Sequence, residues 1–200
     1  MINFLLSKVL AKIKNAIKFP IWYVFNYLKF KIELVSYDKF PIVSGFILLV
    51  NRGEINLGKD IVITSNNYTN PVGNGNRTAI YCSSTGKITI EDYVSMSNVT
   101  IFSQEEIIIE KNVMLGGGVQ ILDSDFHPLQ MEGRMVHDIT KIISKPILLK
   151  QGCFIGANSI ILKGVTIGQN AVIGAGSVVS KNIPDNEIWG GNPAQFIKEI

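Results

Sequence analysis

Among 200 residues there are only two cysteines and two histidines. Cys82 and Cys153 stand far apart without Cys-x-x-Cys spacing, which excludes a cysteine metal cage and reads as two small buried hydrophobes in a reducing compartment. His127 and His137 are too few for a three-histidine zinc site, so no metal is expected. No run of about eighteen apolar residues exists, so no ordinary transmembrane helix is expected. The start, "MINFLLSKVL", has too short an apolar stretch before Lys8 for a secretory signal, which points to the cytoplasm. Charge is sparse at 18% against 46% hydrophobic residues, so a sizeable core can form and global disorder is excluded. Acid is missing from residues 1–32, which hold six lysines, while the rest of the chain carries 13 basic and 16 acidic residues. The basic excess is thus confined to one end, and no nucleic-acid partner is expected.

What is present is a period of six. Leu149, Ile155, Ile161, Ile167, Ile173 and Val179 follow one another at that step. Small or slender residues recur at Cys153, Ser159, Val165, Ala171 and Ser177, with the bulkier Ile183 closing the series, and turn residues recur at Gly152, Asn158, Gly164, Asn170 and Gly176. A helix repeats every ~3.6 residues and a half-buried strand every two. A step of six fits short strands broken at a regular corner, where glycine and asparagine tolerate a left-handed backbone. Such units bury their apolar side only by stacking on their neighbours, so the pattern predicts a β-solenoid.

Upstream the same step is noisier. Ile90, Met96 and Phe102 are six apart, Ile109 comes seven on, and Leu115 and Ile121 resume the step. Leu57 and Ile63 are read as its beginning. Between Ile121 and Leu149 lie 28 residues, four more than four repeats or ten more than three. Part of "HPLQMEGRMVHDITKIISKP" therefore leaves the solenoid as a loop, about 128–147. The expected organisation is an N-terminal segment over 1–50 and a solenoid domain over 51–200, with a tail from 185 onward.

Three segments resemble the hexapeptide-repeat acyltransferases: "FIGANSIILKGVTIGQNAVIGAGSVVSKNIP", the ending "IWGGNPAQFIKEI", and "ILDSDFHPL", where a histidine precedes a proline. The similarity spans about residues 55–200. It implies a left-handed parallel β-helix with three hexapeptides per coil, a short C-terminal helix after the Gly-Asn-Pro-Ala signature, acetyl-CoA as co-substrate, and a homotrimer whose subunits meet at the groove. The Asp-rich lead-in Asp123-Ser124-Asp125 is similar to that of sugar and polysaccharide O-acetyltransferases. The chain has Phe154 where the family often has tryptophan, which concerns the acceptor wall, and Gln195 where it often has a basic residue after Pro-Ala.

Acyl transfer from a thioester to an alcohol needs a base for the hydroxyl proton, donors for the oxyanion and correct positioning, and an imidazole suits the first role. His127, where the loop departs, is the candidate general base. Asp125, or Asp123, is the candidate that holds its ring in the required tautomer, and Asn98 is a candidate helper amide. Arg134 in the loop is a candidate contact for an acidic or phosphorylated sugar. By resemblance, Ala157, Ala175, Ser180 and Lys181 match the positions along the pantetheine arm, with Gln195 and Lys198 toward the nucleotide. The expected activity is acetyl-CoA-dependent O-acetylation of a sugar of a surface polysaccharide or its precursor. The alternatives are N-acetylation of a nucleotide-linked amino sugar and a non-catalytic β-helix binding module.

"FLLSKVLAKIKNAIKF" is amphipathic at helical spacing, and Pro20 ends that pattern. "IWYVFNYLKFKIEL" follows, with aromatics among lysines. Two readings stand side by side: helices capping the first coil, and a basic, apolar segment over 1–35 that contacts an anionic membrane, placing the protein at its inner face.

Overall fold

Short apolar strands cannot hide both faces alone, and here they stack into a three-sided prism. The computed structural model describes residues 21–73 and 76–200. The expected helix over the first residues lies outside them. The first face stacks Ser36–Tyr37, Glu54–Leu57, Lys87–Ile90, Glu106–Ile109, Ile147–Leu149 and Thr166–Ile167 in parallel. The second stacks Ile42–Gly45, Val62–Ser65, Ser95–Ser97, Met114–Leu115, Phe154–Ile155, Val172–Ile173 and Glu187–Gly190, and the third Leu48–Asn51, Ala79–Cys82, Thr100–Ser103, Gln120–Leu122, Ile160–Leu162 and Val178–Val179. This is the left-handed β-helix of hexapeptide repeats.

Register keeps like on like. Leu57, Ile90, Ile109, Leu149 and Ile167 form one inward column. Leu49, Ile80, Ile101, Ile121, Ile161 and Val179 form another, and all are buried. Each buried aliphatic contributes roughly 1.5–3 kcal/mol relative to exposure. Gly152, Asn158, Gly164, Asn170 and Gly176, six residues apart, all have positive φ. The corners are therefore left-handed turns where the six-residue pattern placed them.

Five details differ from the sequence reading. The first coil begins before residue 51, because Ser36–Tyr37 and Ile42–Gly45 already pair with the next coil. Phe102 does not point inward: Ile101 and Ser103 do, since these earlier strands have two inward residues rather than one. The 28 residues from Ile121 to Leu149 span one corner only, so nearly all of them are insertion. A second insertion, unread in the sequence, lies between Ile63 and Ile80, which are also one step apart. Finally, the expected C-terminal helix is a strand, Gln195–Glu199, antiparallel to Glu187–Gly190. The last rung of the second face offers unpaired backbone, and pairing with it satisfies the groups of the final residues as a strand.

Residues 21–32 are helical and cover the first coil. Among the described residues no helix is long and apolar enough to cross a membrane.

Candidate active site

The edge between the third and first faces carries the insertion. Its two arms meet in an antiparallel stem: Ser124 bridges Ser144, Asp125 N–H donates to the Ile143 carbonyl at 3.0 Å, and Lys145 N–H to that of Asp123 at 2.9 Å. Beyond the stem come a helix at Met131–Met135 and a 3₁₀ turn at Ile139–Lys141.

Asp123 is wholly buried and serves the corner below it. Its carboxylate accepts from the Ser103 hydroxyl at 2.8 Å and from the N–H groups of Gln104 and Glu105 at 2.7 and 2.9 Å. All those interactions are local bracing, so Asp123 is not the partner of the His127 ring. Asp125 forms a half-buried ion pair with Lys163, one coil on. Its second carboxylate oxygen is buried without a partner among the described residues. Lys163 has no sequence signal, because the coil stacking alone sets it against Asp125.

Phe126 has φ of +62°, uncommon and strained for a bulky side chain. Its ring packs on Phe102 at 4.5 Å between centroids, Phe102 stacks on Tyr81 at 5.1 Å, and the Arg52 guanidinium lies 5.8 Å from the Tyr81 ring. These rings form an apolar ribbon along the third face that ends beside His127. Nothing in the six-residue pattern announced it. His127 is exposed, with its N–H donating to the Asp125 carbonyl at 2.7 Å. Pro128 is buried against Gly133, where a Cβ would lie 2.8 Å from the proline ring. The histidine thus stands outward between two anchored neighbours.

Other predicted residues fall elsewhere. Asn98 is buried at the edge between the second and third faces, φ +52°, and its amide donates to the carbonyls of Asn70 and Val72 at 3.0 and 3.1 Å. It holds the second insertion and does not share His127's edge, because the prism separates them. Arg134 donates to the carbonyls of Pro128 and Leu129, so it braces the loop. Phe154 stands half-exposed on the second face between Met114 and Val172, away from the His127 edge.

Ala157 and Ala175 lie on the edge shared with Asn98, while Ser180 and Lys181 lie on His127's edge two coils further along, roughly 10 Å at ~4.8 Å per strand. Lys181 sits 4.8 Å over the Trp189 ring and 3.4 Å from Gln195, and Lys198 is exposed on the last strand. A Cβ at Gly176 would meet nothing within 4 Å, so backbone is bare and accessible beside Ala175. The thiols are not nucleophiles: burial, then Glu110, pushes Cys153 up to about 12, and burial also raises Cys82.

Residues 151–181 match the model of the hexapeptide repeat of succinyl-transferase. No curated protein matches the chain in sequence. Among solved structures, a hexapeptide-repeat-containing acetyltransferase from Vibrio cholerae O1 biovar eltor, complexed with acetyl coenzyme A, is 30% identical over 60% of this chain, with a TM-score of 0.54. The chain spans 64% of that protein's length. AntD, an N-acyltransferase from Bacillus cereus in complex with dTDP and 3-hydroxybutyryl-CoA, shares the fold at 22% identity, with 87% of each chain covered and a TM-score of 0.67. In repeat and in fold the chain is thus similar to the hexapeptide-repeat acyltransferases.

Proposed function

We propose that the protein is an acetyl-CoA-dependent O-acetyltransferase acting on a sugar hydroxyl of a surface polysaccharide or its precursor. The observation that carries this reading is His127, presented to solvent at the root of the insertion between the anchored Phe126 and Pro128. Similarity to an acetyltransferase that holds acetyl coenzyme A supports it. Bound acetyl-CoA supplies the activated acetyl thioester. His127 takes the acceptor's hydroxyl proton as that oxygen bonds to the acetyl carbon, and returns the proton to the departing sulfur as the C–S bond breaks. No covalent enzyme intermediate forms. Asp125 is the orienting carboxylate in this reading: its second oxygen makes no hydrogen bond in the structure as it stands, and it takes the other ring N–H only once the exposed His127 ring turns toward it.

Bare backbone at Gly176 and the small Ala157 and Ala175 suit a pantetheine arm on the edge away from His127, so in this reading the arm meets the His127 edge of a neighbouring copy, where Ser180 and Lys181 also lie, with Lys198 as a cation for phosphate. The Tyr81–Phe102–Phe126 ribbon gives the apolar face of a sugar ring something to pack on, a role better placed than that of Phe154. Three copies would complete the groove, with the insertion presenting exposed Met135, Val136 and Ile139 to a neighbour. The protein works in the cytoplasm in this reading.

The test is a panel of sugars with free hydroxyl or amino groups, incubated with protein and acetyl-CoA and read by mass spectrometry. Gain of one acetyl on oxygen is expected. Gain on nitrogen alone would replace the reading with N-acetylation, and no gain on any acceptor, with no thiol release, would favour a binding module.

A further inference from the structure

The helix over residues 21–32 is built inside out. A helix on a soluble protein turns polar residues outward. Here Asn26 is fully buried, donating to the Gly45 carbonyl at 2.8 Å and accepting from Ile47 N–H at 3.3 Å. Glu33, just past the helix, accepts from Asn51 N–H at 2.8 Å, and its own carbonyl accepts from the Asn51 amide at 3.0 Å. Phe30 is buried beside them. The polar groups are therefore spent on the first coil.

The outward side is apolar. Ile21, Val24, Phe25, Leu28 and Ile32 follow a helical stripe, with Val24 55%, Leu28 54% and Ile32 73% exposed. Tyr23 and Tyr27 flank it, and Lys31, over the rings of Tyr27 and Tyr37, is the one charged residue among the exposed positions of the helix. Residues 1–32 hold six lysines and no acid.

We propose that this face rests on a bilayer surface carrying anionic headgroups. Apolar side chains with tyrosines beside them suit the boundary between headgroup and acyl chain. The charge selects the partner: anionic lipid complements the lysine-rich segment, whereas the same face of a second copy would bring like charges together. Because the other side of the helix is fastened to the first coil, the helix lies along the surface. The inference is independent of the transfer reaction.

The experiment uses the full chain in co-sedimentation with vesicles of phosphatidylcholine alone or with about a third phosphatidylglycerol. Pelleting with the anionic vesicles is expected, weakening at high salt as the Debye length shrinks. The double variant Leu28→Asp/Ile32→Asp should partition on the order of tenfold less, with the thermal midpoint unchanged because both side chains are exposed. Leu28→Ser/Ile32→Ser replaces it should the aspartates unfold the protein. No pelleting of the full chain, or equal pelleting of the variant, overturns the proposal. So does a variant that falls apart from a larger assembly in sedimentation velocity, which would show the face covered by a second copy.

Discussion

The coils over residues 149–179 and the rung at 121–149 obey the same packing rule and spend chain very differently. In the first, six residues make each face and corner, and the corner residues alternate glycine and asparagine in left-handed turns. In the second, 28 residues connect neighbouring faces. Ile121 and Leu149 nonetheless keep their columns, with Ile161 over one and Ile167 over the other. The solenoid tolerates a long excursion because its stability comes from rung-to-rung stacking, and a loop closed at its root adds only a slowly growing entropic cost. The proposed site lies where the repeat is interrupted, because there a side chain can stand clear of the stack.

Three substitutions sharpen that contrast. His127→Ala should keep the melting temperature and reduce acetyl transfer on the order of a hundredfold or more, the scale of a lost general base. A variant with full turnover in a steady-state assay would take His127 out of the chemistry. Asp123→Ala strands the Ser103 hydroxyl and the N–H groups of Gln104 and Glu105. It should cost about 1–3 kcal/mol in denaturant unfolding and also slow turnover, because the stem that carries His127 loses its footing. Asn170→Ala, in a regular corner at φ +55°, should cost about 1 kcal/mol by the same measurement and leave turnover unchanged. Equal effects of the last two on turnover would erase the distinction between the regular coils and the interrupted rung.

Much of the prism was legible. Aliphatics six apart proved to be inward columns, and the Gly and Asn positions proved to be the left-handed corners, because both depend on the repeat itself. Phe102 was misplaced since the longer early strands have two inward residues, and a bare six-step cannot tell which of Ile101 and Phe102 is one of them. The insertion before Ile80 went unread because "NNYTNPVGNGNR" interrupts the step where no long aliphatic series flanks it. At the site, the position of His127 at a break in the pattern was readable. The assignment of Asn98 and Arg134 was not, because both spend their donors on backbone carbonyls of residues brought close only by folding.

By itself, the order of residues determined a stack of six-residue rungs, its corner conformations, and a histidine at the place where a loop departs, since each follows from local periodicity and backbone preference. Only the tertiary structure decided that Asp125 meets Lys163, that Asp123 braces the corner beneath, that the last residues pair as a strand, and that the early helix turns its asparagine inward and its aliphatics outward. These depend on which rungs lie side by side and which edges are left unpaired, and such contacts join residues whose separation along the chain bears no relation to the repeat.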